Sequence, residues 1–108
     1  MIIDDAKVQK AIDYLVKTDK TCAEAKSLME FLSESRKSVK ADLYLVSGGS
    51  SSAEKEQMAY ADNDYKDHIQ KYKDAVYQYE IQRNRRESAR LIIECWRTEQ
   101  ANMRKGNV

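Results

Sequence analysis

Ser47-Gly48-Gly49-Ser50-Ser51-Ser52 is the one cluster of helix breakers in this sequence, and its position decides the fold. The chain has 108 residues, one further glycine, Gly106, and no proline. Proline is the strongest helix breaker, so its absence leaves both flanks of the glycine pair free to run as long helices. Gly48 or Gly49 can take the left-handed backbone that ends a helix. Ser51 and Glu54, at capping-box spacing, start the next one. A connection this short makes the two helices antiparallel neighbours.

Upstream of the turn, positions spaced alternately three and four residues from Val8 are Val8, Ala11, Leu15, Thr18, Cys22, Ala25, Met29, Leu32, Arg36, Val39, Leu43 and Val46. All but Thr18 and Arg36 are apolar, the pattern of a helix seam facing another helix. Thr18-Asp19-Lys20-Thr21 is polar, and Thr21 with Glu24 has capping-box spacing, so a new helix could begin there. The seam nevertheless passes through in phase, which predicts one continuous helix over 4–46, bent near Thr18. Asp4 or Asp5 supplies its N-cap.

Downstream, the seam reads Met58, Ala61, Tyr65, His68, Tyr72, Ala75, Tyr79, Gln82, Arg86, Ala89, Ile93, Trp96, Gln100 and Met103. This predicts a second helix over 53–103 with a frayed tail over 104–108. Folding at the glycines sets Met29 against Tyr72, Ala25 against Ala75, Cys22 against Tyr79 and Val8 against Ile93. It also brings Thr18 near Gln82 and Arg86, a polar and hydrated layer. The expected fold is all-α: a long antiparallel, coiled-coil-like helical hairpin forming a single domain over 1–108.

Two helices bury one stripe each. Ile12, Val16, Leu28, Phe31, Ile69, Val76, Leu91 and Ile92 lie beside the seam and would stay wet. Apolar area is worth about 25 cal/mol per Å² on burial, so this flank is an unused driving force. The expected solution is a homodimer in which two hairpins make a four-helix bundle.

Composition narrows the chemistry. Charged residues make up 34% of the chain but the formal net charge is only +1, so no global field points to nucleic acid or to a membrane surface. Cys22 and Cys95 share no metal or redox motif and read as reduced thiols of a cytoplasmic protein. Met1-Ile2-Ile3 runs straight into Asp4 and Asp5 without a leader pattern, and no apolar run reaches the roughly 20 residues that span a bilayer. His68 is the single histidine and lacks partners at metal or general-base spacing. Tyr65, Tyr72 and Tyr79 recur every seven residues, as packing tyrosines do. A base-stacking role for them is opposed by neighbouring Glu56, Asp62, Asp64, Asp67, Asp74 and Glu80. No nucleophile elbow, phosphate loop or carboxylate pair stands out. The expectation is therefore no catalytic residue, no cofactor and no metal.

The sharpest charge feature is Arg83-Asn84-Arg85-Arg86-Glu87-Ser88-Ala89-Arg90, continued by Trp96-Arg97. Arg83, Arg85, Arg86, Arg90, Trp96 and Arg97 are the candidate contacts to an acidic partner or nucleic acid, because arginine forks match carboxylate and phosphate. The plainer reading has Glu80, Glu87 and Glu94 offsetting the arginines along the helix, and Trp96 closing the core over Asp4 and Asp5.

The run from Tyr79-Glu80 through Arg83, Arg86 and Ala89 to Ile93-Glu94, Trp96-Arg97, Gln100, Asn102 and Arg104 resembles small helical phage and prophage proteins encoded near single-strand annealing and recombination genes. The resemblance covers about a quarter of the chain. It implies a phage context, and either an accessory of DNA metabolism or a protein that binds a host or phage partner.

Three functions follow as expectations. The leading one is a non-enzymatic helical interaction protein, an accessory or inhibitor acting by protein–protein contact. The second, the alternative to it, is a nucleic-acid-binding accessory of recombination or replication using the Arg83–Arg90 face. The third is a structural spacer or assembly chaperone.

Overall fold

The computed structural model describes residues 3–106, and the chain is all-α. Helix α1 spans Asp5–Val46, α2 spans Ser52–Ala61 and α3 spans Asn63–Gly106. Two compact units make up the chain. An end unit joins Met1–Ala23 to Glu80–Val108, and a turn unit comprises Glu24–Tyr79. Within each unit α1 and α3 run antiparallel, the helical hairpin that the Gly/Ser turn dictates.

α1 starts where Asp4 caps it, its carboxylate accepting from the Lys7 N–H at 2.7 Å. It passes through Thr18–Thr21 without a break. The Thr18 hydroxyl donates to the Tyr14 carbonyl at 2.7 Å, so this polar residue is satisfied inside the helix instead of ending it. The helix ends differently from expectation. Neither Gly48 nor Gly49 has a positive φ. The last turn closes tightly, with Ser47 N–H donating to Tyr44 O at 3.4 Å. Gly49 is needed for another reason: a Cβ there would lie 2.9 Å from the Lys55 backbone nitrogen.

The helix expected over 53–103 is two helices. Ser51 caps α2 by accepting from Glu54 N–H at 3.2 Å, as its spacing predicts. The Glu54 carboxylate reaches Ser50 instead of completing the box on Ser51. At Asp62 the backbone turns extended, φ −64° and ψ 139°. The Asp62 carboxylate accepts from Asp64 N–H at 2.8 Å, and its carbonyl accepts the bond from Lys66 N–H that opens α3. Asp62-Asn63-Asp64 favours such local side-chain bonds over a continuous helix. The break shifts the buried face. Ala59 is 1% exposed, whereas Met58, expected on the seam, is 44% exposed. At the other end α3 runs on through Gly106 where fraying from 104 was expected; Asn107 and Val108 lie outside the described residues.

α2 is held on α1 by Lys40. Its ammonium donates to the Glu56 carboxylate at 2.9 Å and to the Tyr60 hydroxyl, and lies 4.2 Å from the centre of the Tyr60 ring. Tyr60 in turn meets Tyr65 edge to face at 5.3 Å. The Tyr60 and Glu56 hydrogen bonds favour the charged amine and push the Lys40 pKa up to about 12.

Two predictions follow from the turn. Gly49→Ala forces a backbone clash and is expected to lower stability by roughly 1–2 kcal/mol in urea unfolding. Gly48→Ala, with nothing within 4 Å of the new Cβ, is expected to be neutral or stabilising by up to about 0.5 kcal/mol. The Lys40 clasp predicts a pH dependence. Because its pKa is raised in the fold, the stabilisation is complete below the ordinary value near 10.5 and is lost as pH rises through about 12. An NMR titration of the Lys40 side chain is expected to show a midpoint near 12 that falls toward 10.5 in Tyr60→Phe.

Candidate interaction surfaces

In the end unit the chain start is tied to the end of α3. Ile3 is buried, and its N–H donates to Glu99 Oε2 at 2.8 Å. Trp96, half-buried, donates from Nε1 to Asp5 Oδ1 at 3.1 Å, so it does close the core over the helix start. Val8, Ala11 and Ala89 are buried with Ile3 in this unit.

The polar layer forms as the register predicts, and it changes the role of one candidate contact. Arg86 is only 9% exposed. Its guanidinium donates to the Leu15 carbonyl at 2.8 Å, to Thr18 Oγ1 at 2.7 Å and to the Asp19 carboxylate. Arg86 therefore leaves the expected surface row: its fork is committed to α1, and an outside anion cannot reach it. One turn earlier Gln82 Oε1 is buried and accepts no hydrogen bond among the described residues.

The other arginines of the row stay outside. Arg83, Arg90 and Arg97 follow Glu80, Glu87 and Glu94 by three residues and pair with them at 3.3, 3.8 and 3.1 Å. These are exposed i,i+3 pairs, each worth a few tenths of a kcal/mol. With Arg104 the arginines recur every seven residues, so one ridge of α3 carries them all. The Glu–Arg offset was legible in the sequence; the ridge is a periodicity that reading the run as one block hides. Arg85 is exposed and has no ion pair among the described residues.

In the turn unit His68 is half-buried. Its Nε2 donates to the Leu32 carbonyl at 2.9 Å and lies 3.4 Å from Ser35 Oγ. That is a helix-to-helix tie. Tyr72 lies beneath the Arg36 guanidinium at 5.8 Å. Ala25 and Ala75 come together as expected, on the floor of an open groove of about 380 Å³ shared by α1 and α3. Sequence reading did not find this groove. Its signal was the small size of the two facing alanines beside Leu28. Among the described residues no cluster of three histidine, cysteine or acidic side chains could hold a metal, and no helix is long and apolar enough to cross a membrane.

Exposure is high at large apolar side chains in both units. In the end unit Val16 is 70% and Leu91 56% exposed; in the turn unit Leu28 is 53% and Phe31 66%. Among the described residues the buried hydrophobic ones are Ile3, Val8 and four alanines, and no large side chain is fully buried.

The contrast between adjacent arginines is testable. Arg86→Ala removes three hydrogen bonds of an inward guanidinium and is expected to cost roughly 2 kcal/mol in urea unfolding. Arg85→Ala is expected to cost less than about 0.5 kcal/mol. Equal effects would show that Arg86 is not the internal tie described here.

No family model matches this sequence, and no curated protein or solved structure matches it either.

Proposed function

We propose that this chain is a non-enzymatic helical interaction protein that acts by protein–protein contact and works as a homodimer. The observation that carries this reading is the mismatch between what is buried and what is exposed. Among the described residues four of the six buried hydrophobic ones are alanines, while Val16, Leu28, Phe31 and Leu91 are each more than half exposed. Alanine burial yields little, because the hydrophobic gain scales with apolar area. A chain that spends its larger apolar side chains on the surface gains most when a partner covers them. Pairing of two hairpins into a four-helix bundle is the symmetric way to cover such side chains. In a phage setting, which the resemblance of the C-terminal run suggests, such a protein would bind host or phage machinery as an accessory or inhibitor.

The nucleic-acid reading has less support. Of its six candidate contacts Arg86 is buried, Trp96 is bonded to Asp5, and Arg83, Arg90 and Arg97 are already paired with glutamates. Arg85 is left, with Arg104 and Lys105 in the last turn of α3.

Sedimentation equilibrium is expected to return a dimer at micromolar concentration; a well-folded monomer there would falsify the reading. Binding to single- or double-stranded DNA is expected to be weak at low salt and to vanish at physiological salt. Tight binding that persists in salt and fails in the Arg85→Gln, Arg90→Gln, Arg97→Gln variant would favour the alternative.

A further inference from the structure

The break at Asp62 is not forced by the covalent chain. Neither proline nor glycine occurs between 50 and 105. Asp62 has φ −64°, already helical, and departs from the helix only in ψ, at 139°. What holds the break is local. The Asp62 carboxylate takes the Asp64 N–H, and the Lys40 ammonium holds Glu56 and Tyr60 of α2. The seam of α3 does not stop at the break. Tyr65 and His68 are preceded, at the same three-and-four spacing, by Ala61 and Met58, and both are exposed because α2 is turned away.

α1 carries the counterpart of this mismatch. α2 lies along Lys40 and Tyr44, with an open groove of about 610 Å³ between the helices. Val39 and Leu43 each stand one residue earlier, about 100° round α1. There a second open groove, of about 420 Å³, is lined by Val39 and Leu43 on one side and by Asp64, Asp67 and His68 on the other. His68 is bonded to Leu32. A helix continued ten residues back from His68 therefore brings Met58 opposite Asp42 and Leu43, over the stretch of the α1 seam that α2 leaves open.

We propose that α2 has two positions: docked on the Lys40 face, as described above, or joined end to end with α3 as one helix that lays Met58 and Ala61 on the Val39–Leu43 seam. Asp62 is the hinge and Lys40 the latch. The change needs one ψ rotation at Asp62 and a turn that follows, and Gly48 has nothing within 4 Å of a Cβ to hold it back. Each position satisfies part of the segment. Docking keeps Ala59 buried and the clasp made; joining covers Met58 and returns the Asp64 N–H to a helical acceptor. Elements with two alternative packings of this kind are what conformational switches are built from. Switching exchanges what the turn unit shows to solvent: Met58 and Ala61 when docked, Tyr60 and the freed Lys40 ammonium when joined. The device lies within the turn unit and stands whether or not the chain associates.

The test is NMR on the full chain. Asn63 is the first residue of α3, where proline is tolerated, and a proline there holds the preceding residue at the extended ψ that Asp62 has when docked. Relaxation dispersion is expected to show microsecond-to-millisecond exchange over residues 59–65 in the wild type and none in Asn63→Pro. The double variant Lys40→Met, Asp62→Ala removes latch and hinge bond. Its residue 62 is expected to move to a helical Cα shift, its Asp64 and Tyr65 amides to exchange more slowly by about tenfold or more, and its Met58 methyl to show a cross-peak to Leu43. Adding Asn63→Pro is expected to reverse all three. A wild type without exchange at these residues overturns the proposal. So does a double variant in which residue 62 stays extended, or in which residues 52–61 simply lose their helical shifts.

Discussion

Two helices lying side by side share a single line of contact, and the side chains on that line decide how closely the backbones approach. In the end unit the line runs through Val8, Ala11 and Ala89; in the turn unit it runs through Ala75 above Ala25. Small residues allow close approach but bury little area. The pairing therefore leans on directional bonds. Arg86 grips three oxygens of α1, Trp96 reaches Asp5, His68 reaches the Leu32 carbonyl, and Lys40 clasps α2. Bonds of this kind set register well and contribute about 1 kcal/mol each.

Much of this was legible in the sequence. The position of the turn, the helical class, the continuity of α1 through Thr18 and the meeting of Thr18 with Arg86 all follow from spacing. A seam repeated at three and four residues can face only one way, so two seams joined by a short turn have one sensible register. The sequence was harder to read where one residue has two uses. Asp62 looks like an exposed position beside Ala61 on a running seam, yet its carboxylate competes for the backbone and resets the phase, burying Ala59 instead of Met58. Gly49 looks like a left-handed cap, yet it serves to let Lys55 come close. Arg86 sits in an arginine-rich run that reads as one solvated face; only its seam position distinguishes it from Arg85, and the seam is the better guide.

The arginine ridge illustrates how a charge cluster can be electrically quiet. Each of Arg83, Arg90 and Arg97 sits three residues after a glutamate, the order in which the helix dipole assists the pair. An incoming anion would have to displace a tethered carboxylate to gain each fork. Such a surface repels little and attracts little, in keeping with a formal net charge of only +1.

The three bonds of Arg86 bear on how this molecule can change over evolutionary time. They tie one point of α3 to one turn of α1. Deleting a single residue between that tie and the turn rotates everything beyond it by about 100° around the helix, carrying the alanine line off its partner. Deletions or insertions keep both in place only when a whole heptad is gained or lost from α1 and α3 together. Within the paired helices, descendants of this chain thus grow or shrink in paired steps of about 10 Å, while single-residue indels fall in the Gly/Ser turn and at the Asp62 break, where no heptad has to be kept.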